Sequence, residues 1–168
     1  MAPEDYLQHI DFAATTKLDF TPLFANPKVF RSLVLDLCRP FRAANINKVA
    51  CPESIGFILG SAVAAELKLG LIPIRKAGKL PGELLEQSYA LEYGEARLSI
   101  QASRQLNGRR VVLCDDLLAT GGTLEAAAKL VARCGGTLAG AVCIIELTGL
   151  KGRSRIDCPV KALQTYEF

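Results

Sequence analysis

Histidine, clustered cysteine and long apolar runs are all scarce in this chain of 168 residues. The single histidine, His9, excludes a histidine metal cluster, so a divalent cation would have to arrive mainly with a ligand and water. The net charge of +3 is mild and no block of lysine and arginine occurs, so we predict no nucleic-acid partner. No apolar stretch reaches the ~20 residues of a membrane span. Residues 1–10 also lack the apolar core of a signal peptide, so we predict no membrane association.

Cysteine is present but is not paired in the sequence. None of the six cysteines forms a Cys-x-x-Cys motif, which disfavours a zinc site or a disulfide framework. Most lie in apolar runs, where a cysteine behaves as a small buried hydrophobe. Buried reduced thiols are typical of a reducing compartment, and we therefore predict a cytoplasmic location. The six are Cys38, Cys51, Cys114, Cys134, Cys143 and Cys158.

The remaining composition is that of an ordinary folded domain. Half of the residues are hydrophobic and 22% are charged, which excludes a disordered chain. A chain of this length buries roughly 70% of the surface that its unfolded form exposes, so it needs no disulfide or metal to fold. We expect a single domain over residues 1–168.

Apolar periodicity predicts strands and helices in alternation along most of the chain. Asn26-Pro27 is typical of a helix start, and Gly70 and Gly135-Gly136 are typical of helix ends. The predicted strands cover residues 47–51, 71–74, 109–115, 137–147 and 160–165, and the predicted helices begin at Asn26 and cover 55–69 and 124–134. Several strands are apolar on both faces, so we predict the α/β class, with a mainly parallel sheet flanked by helices.

Residues 80–106 interrupt this alternation. Two runs of alternating polar and apolar residues, 87–93 and 95–100, meet at Gly94, which is typical of a β-hairpin. We interpret residues 80–106 as a flap that follows a basic turn, residues 75–79, and is inserted between two strands of the sheet. Excursions of this kind often carry function.

The most informative stretch is residues 111–123, where a buried strand runs into two adjacent carboxylates, Asp115 and Asp116, and then into a loop of small residues. Such a loop lies at the carboxyl end of a strand, where α/β proteins bind ligands. Gly121 and Gly122 let backbone N–H groups turn towards a phosphate, and the following helix adds its positive end. The carboxylates have the acceptors needed for two vicinal sugar hydroxyls. The stretch therefore predicts a site for a phosphorylated sugar.

Two other interpretations of this stretch are weaker. It is not a Walker A loop, because the terminal Lys-Ser/Thr is missing and the acidic residues come first. An ordinary turn between strand and helix would leave two acids at the end of a buried strand with no ligand to satisfy them.

Residues 111–123 resemble the phosphoribosyl pyrophosphate (PRPP) signature of the type I phosphoribosyltransferases. Residues 74–82, 89–94 and 146–153 are similar, in the same order, to the adenine phosphoribosyltransferases of that family, and the resemblance covers most of the chain from Asp19 onward. It implies the type I phosphoribosyltransferase fold. It also implies a purine-salvage enzyme that converts adenine and PRPP to AMP and pyrophosphate, with Mg²⁺ bound along with PRPP. The same resemblance implies a homodimer.

The resemblance assigns the residues that hold PRPP. The 5′-phosphate would be held by Ala119, Thr120, Gly121, Gly122 and Thr123, and the ribose hydroxyls by Asp115 and Asp116. Glu53 and Ser54 occupy the family's pyrophosphate loop, which often contains a non-proline cis peptide; the sequence leaves open whether this one does. Arg75, Lys76 and Lys79 resemble the basic cluster that meets pyrophosphate, with a contribution from the neighbouring subunit left open.

The resemblance also assigns residues around the base. Glu92 and Tyr93 on the flap are implied to be the catalytic residues, with the glutamate handling the proton of the purine ring. A closing flap would also keep water from hydrolysing PRPP. Thr16 and Leu18 lie in an N-terminal segment, residues 1–25, on the side of the base. No side chain is assigned as a metal ligand.

The chain departs from the family pattern at two positions. Ile55 stands where the pyrophosphate loop usually has an arginine, and Leu18 stands where an arginine is expected near the base. Losing a charge-assisted phosphate contact costs on the order of 1.5–3 kcal/mol. Two alternatives therefore stay open, namely the same chemistry on another base, and a paralogue that binds PRPP or a nucleotide without turnover.

Overall fold

A computed structural model describes residues 5–12, 18–90 and 94–167. The described strands are β1 (Asp11–Phe12), β2 (Leu18–Asp19), β3 (Lys48–Pro52), β4 (Gly70–Lys76), β5 (Leu84–Ala90), β6 (Glu95–Gln101), β7 (Arg110–Cys114), β8 (Leu117–Leu118), β9 (Thr137–Leu147) and β10 (Val160–Tyr166). The described α-helices are α1 (Thr21–Ala25), α2 (Pro27–Cys38), α3 (Ile55–Leu67) and α4 (Gly122–Arg133). Most of the predicted elements are present, with ends that differ by a few residues.

An eight-stranded sheet forms the centre of the fold. Seven of its strands follow the order β10-β9-β7-β3-β4-β6-β5, and the short β8 pairs with β9 beside this path. The first five are parallel to their neighbours, whereas β6 runs antiparallel to β4 and β5 antiparallel to β6. The predicted α/β class with a mainly parallel sheet and a β-hairpin is therefore confirmed. The hairpin extends the sheet, because β6 pairs with the end of β4 at Arg75↔Ser99 and Lys76↔Leu98.

Both faces of the sheet are covered, which explains why its central strands are apolar on both sides. In β7, Val112 and Cys114 pack into the hydrophobic cluster that includes α2 and α3 residues. Their neighbours Val111 and Leu113 pack into the cluster on the opposite face, which includes α4 residues. Because both faces of β7 are buried, polar side chains are excluded along the strand and first occur where it ends, at Asp115.

The local signals that begin the helices act as the sequence indicates. The side chain of Asn26 accepts hydrogen bonds from the backbone N–H groups of Lys28 and Val29 at the start of α2. Gly121, with φ of 82°, turns the chain into α4 through a left-handed conformation that costs a glycine little.

Two local predictions were wrong. Gly70 does not end α3, because Lys68 adopts the left-handed conformation (φ 57°) and the Leu69 N–H reaches back to the Ala64 carbonyl. Gly70 instead begins β4. Residues 75–79 are not a turn throughout, because Arg75 and Lys76 belong to β4, where they pair with β6.

The cysteines are free, and five of the six are buried, as predicted. Burial raises the pKa of the Cys38 thiol to about 11 and that of Cys51 to about 12, so these thiols stay protonated. Among the helices in the described part of the chain, none has the length and apolar character that crossing a bilayer requires.

Candidate functional site

A cavity of about 350 Å³ opens at the carboxyl ends of β3 and β7, where α3 and α4 begin. Its described lining consists of Glu53, Ser54, Ile55, Lys76, Tyr89 and residues 115–124. Residues 115–123, which follow β7 in the stretch singled out by the sequence, therefore all line one cavity. The β3–α3 loop contributes Glu53, Ser54 and Ile55 to the same cavity. In an open α/β sheet this is the expected position of a ligand.

The two carboxylates follow β7 directly and are held by the backbone of β9. The Asp115 N–H donates to the Val142 carbonyl (3.1 Å), and the Asp116 carbonyl accepts from Ile144 (3.0 Å). Burial of Asp115 raises the pKa of its carboxyl well above the ordinary range, and the charge of Asp116 raises it further. One Asp115 oxygen accepts the Asp116 N–H at 3.0 Å. The pair thus offers acceptors to a polyhydroxyl ligand at a place where water is scarce.

The loop after the carboxylates presents the start of α4 to the cavity. The first backbone hydrogen bond of the helix runs from the Glu125 N–H to the Gly121 carbonyl, at 2.9 Å. The N–H groups of residues 122–124 precede that bond and have no acceptor within the helix, so they remain available to an anion. A Cβ on Gly122 would lie 3.2 Å from the Tyr89 ring and 3.3 Å from the Ala90 carbonyl, so glycine permits close approach of the hairpin.

A second loop, which contains Gly152, packs against residues 119–121. A Cβ on Gly152 would overlap the Ala119 carbonyl and would lie 2.7 Å from the Gly121 nitrogen. A Cβ on Gly121 would in turn overlap the Gly152 carbonyl. The two loops therefore meet backbone to backbone, and this contact fixes the curvature of residues 119–121.

The β3–α3 loop forms another part of the cavity wall. The peptide bond between Glu53 and Ser54 is cis, which answers the question that the sequence left open. Ile55 lines the cavity as an apolar group, in the place where the family pattern has an arginine. A Cβ on Gly56 would lie 3.0 Å from an Asp115 side-chain oxygen, so the first turn of α3 packs directly against the carboxylate pair.

The structure separates the three predicted basic residues. Lys76 lines the cavity, whereas Arg75 and Lys79 are not among its described lining residues. The Arg75 Nε donates to a Glu53 carboxylate oxygen at 2.8 Å, and the Arg75 Nη1 donates to the Lys79 carbonyl at 3.4 Å. The guanidinium carbon is 6.0 Å from the centre of the Phe57 ring.

The residues predicted around the base are placed less completely. Thr16, Glu92 and Tyr93 lie outside the described residues. Leu18 belongs to β2 and packs against the hydrophobic cluster beside α2 and α3.

Sequence reasoning assigned no role to two residues that the structure brings to the site. Tyr89 lines the cavity from β5, and Gly152 packs against residues 119–121. Both lie in stretches that resemble the family, residues 89–94 and 146–153, but the resemblance was not carried as far as a role for either residue.

The donor set fits a metal ion that arrives with phosphates. The described residues contain no group of three or more acidic, histidine or cysteine side chains arranged to hold a metal. Asp115 and Asp116 nevertheless place carboxylate oxygens on the cavity wall. Mg²⁺ commonly binds through one or two carboxylates, water and ligand phosphates, and this arrangement is compatible with such binding.

Comparison with known proteins agrees with this geometry. The sequence model of the phosphoribosyl transferase domain family matches residues 31–167. The adenine phosphoribosyltransferase of Maricaulis maris is 45% identical over 152 residues, which cover 89% of this chain and 87% of the relative.

Solved structures are similar over nearly the whole chain. The adenine phosphoribosyltransferase of Rhodothermus marinus superposes with a TM-score of 0.91 at 39% identity, covering 96% of both chains. The enzyme of Saccharomyces cerevisiae, in complex with an imino-altritol bisphosphate and adenine, gives a TM-score of 0.86 at 36% identity, covering 94% of this chain and 96% of that one.

Proposed function

Because the chain belongs to the phosphoribosyltransferase family, we propose that it transfers the phosphoribosyl group of PRPP to adenine, forming AMP and pyrophosphate in purine salvage. The observation that carries this proposal is the shared cavity of the carboxylate pair and the start of α4. Relatives with 45% identity and a matching fold bear the name of this activity, which supports adenine as the base.

The 5′-phosphate of PRPP would bind at residues 119–123. The unpaired N–H groups at the start of α4, the positive end of the helix and the hydroxyls of Thr120 and Thr123 all suit a phosphate dianion. Asp115 and Asp116 would accept hydrogen bonds from the two ribose hydroxyls. The cavity volume of about 350 Å³ is in the range of small-molecule sites.

Pyrophosphate would lie towards Glu53, Ser54 and Lys76, which line the same cavity as residues 119–123. Lys76 offers the ammonium group that anionic oxygens require. We propose that Arg75 and Lys79 belong to the same basic cluster, on the ground of the sequence resemblance. Mg²⁺ bound with PRPP would supply charge neutralisation for the leaving pyrophosphate.

In the reaction, the bond between the ribose C1′ and the pyrophosphate oxygen breaks while a bond forms between C1′ and N9 of adenine. Pyrophosphate keeps the electron pair, and adenine gives up its ring proton. Positive charge develops on the ribose, so dipoles and carboxylates held around the sugar stabilise the transition state. We propose that Glu92 handles the proton of the purine ring, with Tyr93 as the second catalytic residue of the flap. We propose that the segment containing Thr16 and Leu18 binds the base.

Assembly and location complete the proposal. A homodimer is expected from the family resemblance, and a neighbouring subunit could bring further cations to the pyrophosphate side. The free, buried cysteines suit a reducing compartment such as the cytoplasm. We propose no nucleic-acid or membrane partner.

A second candidate function is favoured by Ile55. Ile55 lines the cavity where the family pattern has an arginine. Without the charge-assisted hydrogen bonds of an arginine, pyrophosphate would bind more weakly. The protein would then be a paralogue that binds PRPP or a nucleotide with altered base specificity or without turnover.

The experiment that separates these candidates follows pyrophosphate release from PRPP and Mg²⁺ in the presence of adenine, guanine or hypoxanthine. The proposed function predicts turnover with adenine and little with the other two bases. Turnover with another base would show altered specificity, and binding of PRPP by calorimetry without turnover would show a regulator. The Asp115→Asn variant serves as the control for a damaged ribose site.

A further inference from the structure

The cavity has more acidic than basic residues, which is unexpected for a site proposed to hold a polyanion. Its described lining includes three acidic side chains, from Glu53, Asp115 and Asp116, and one basic side chain, from Lys76. Two of the carboxylates have a proposed task at the ribose. The third, Glu53, lies in the pyrophosphate loop, where an uncompensated negative charge would repel the leaving group.

Arg75 compensates this charge and does so from outside the cavity. Its Nε donates to Glu53 at 2.8 Å in an ion pair whose carboxylate side chain is only 11% exposed and whose guanidinium side chain is 37% exposed. The Glu53 N–H also donates to the carbonyl of Ile74, the residue before Arg75, at 3.0 Å. The acid and the base are thus joined through both backbone and side chain at the carboxyl ends of β3 and β4.

The direction of Arg75 follows from its strand. Successive residues of a strand point to opposite faces, so Arg75 turns away from the space into which Lys76 points. The Arg75 carbonyl accepts a hydrogen bond from the fully buried Ser99 hydroxyl at 3.2 Å, which holds this register. The Phe57 ring, 6.0 Å from the guanidinium carbon, lies on one side of the cation.

We propose that Arg75 is a positioning residue that neutralises Glu53 and holds it in place, instead of itself contacting the pyrophosphate. This inference rests on the proposed function and refines it, because it gives the members of the predicted basic cluster different tasks. Lys76 meets the ligand directly, whereas Arg75 removes a repulsion. The pair also leaves the loop electrically neutral next to Ile55.

The proposal predicts the signs of three substitutions. Arg75→Gln exposes the Glu53 charge and weakens PRPP and pyrophosphate binding by roughly tenfold, as expected for one added charge near a polyanion. Glu53→Gln removes that charge and leaves affinity equal or tighter. The double variant Arg75→Gln with Glu53→Gln restores affinity to within about threefold of the unchanged protein, because the loop is neutral again.

The test is calorimetric titration of PRPP and of pyrophosphate, each with Mg²⁺, into the four proteins, together with KM and kcat for PRPP. The effect should fall on KM. Arg42→Gln is a matched control, since it breaks the Arg42–Glu66 pair, also 2.8 Å long, away from the cavity lining. Thermal melting establishes that each variant is folded.

Two outcomes would overturn the inference. If the double variant binds as weakly as Arg75→Gln, the guanidinium contacts the ligand directly, from its own or a neighbouring subunit. If Glu53→Gln alone loses tenfold in affinity, the carboxylate is itself needed by the ligand or its cation. Absence of PRPP binding by the unchanged protein would instead refute the proposed function and its premise, so the two failures are distinguishable.

Discussion

At the residue scale, two features of Asp115 disfavour its ionisation, namely burial and a neighbouring carboxylate. It is buried at the end of β7, beside a second carboxylate, with no cation among its hydrogen-bond partners in the described residues. Burial and the Asp116 charge raise its pKa because both disfavour ionisation. Residues of this kind cluster at functional sites, where a ligand meets the unsatisfied group.

The raised pKa makes the stability of the ligand-free protein depend on pH. A carboxyl with a folded-state pKa above its unfolded value of 3.8 favours folding fully below that value, and this contribution is lost as pH rises through the folded-state pKa. Asp115→Asn should therefore unfold at a higher temperature than the unchanged protein near pH 7. The gain follows from the direction of the pKa shift, because the asparagine side chain has no charge to bury.

The measurement is thermal or urea unfolding of both proteins without PRPP and Mg²⁺, from pH 4 to pH 8. The stability gap should widen as pH rises and nearly close at the acid end. Asp157→Asn, which removes an exposed carboxylate, controls for the loss of one negative charge. A gap that is constant or that shrinks towards high pH would contradict the assigned direction.

Individual site residues were predictable where chemistry leaves a mark on a short stretch of sequence. Two adjacent acids after a buried strand, followed by paired glycines, predict a ligand site. The structure brings Asp115, Asp116, Gly121 and Gly122 to one cavity. The pairing of Arg75 with Glu53 joins residues 22 positions apart through strand register. A residue-by-residue pattern does not contain that register.

At the element scale, the shape of the loop before α4 depends on a loop far along the chain. Residues 119–121 pack against Gly152, and neither Gly121 nor Gly152 has room for a Cβ. The segment that contains Gly152 is held in turn, because Arg153 donates to the buried Glu146 through its Nε at 2.9 Å and also to the Val160 carbonyl. The curvature that aims the N–H groups of α4 is therefore set by β9 and the segment after it.

Gly152→Ala should distort the backbone of residues 119–121, because the added Cβ would overlap the Ala119 carbonyl. We expect AMP and PRPP affinity to fall at least tenfold and unfolding free energy to fall by roughly 1–3 kcal/mol, as is usual for overpacking. Isothermal titration and urea unfolding measure the two effects.

Gly140→Ala is the matched control for this substitution. Its Cβ would crowd the Pro159 carbonyl at 3.0 Å and the Phe41 ring at 3.2 Å, away from the cavity. That variant should lose stability while keeping ligand affinity. Equal ligand affinity in the two variants would show that the Gly152 contact does not shape the site.

Helices and strands were predictable because their apolar periodicity is strong and their caps are local. The Asn26 cap and the full extent of β9 are examples. The end of α3 was not predictable, because a lysine took the left-handed position that glycine usually takes, with Leu69 packed on the core behind it. Tertiary packing outweighed the local preference at Gly70.

At the scale of the whole molecule, the site is assembled from parts that are distant in sequence. Residues from the ends of β3, β4, β5 and β7 and from the starts of α3 and α4 meet around one cavity. The hairpin is fixed to this assembly as well as to the sheet, since the Arg133 guanidinium at the end of α4 donates to the Glu86 carbonyl of β5 at 2.6 Å. The first strand of the hairpin, β5, therefore lies along α4.

The strand order of the sheet could not be read from periodicity alone. Alternation of strands and helices indicates a parallel sheet, but the order β10-β9-β7-β3-β4-β6-β5 depends on which crossovers the whole chain makes. The resemblance to a known family supplied that fold, and the structural similarity to adenine phosphoribosyltransferases agrees with it.

The most direct test of the account is a crystal structure with AMP. The account predicts the 5′-phosphate within about 3 Å of the backbone N–H groups at the start of α4, residues 122–124, and the ribose hydroxyls on the carboxylates of Asp115 and Asp116. AMP bound in another place, or bound with its phosphate away from the start of α4, would contradict it.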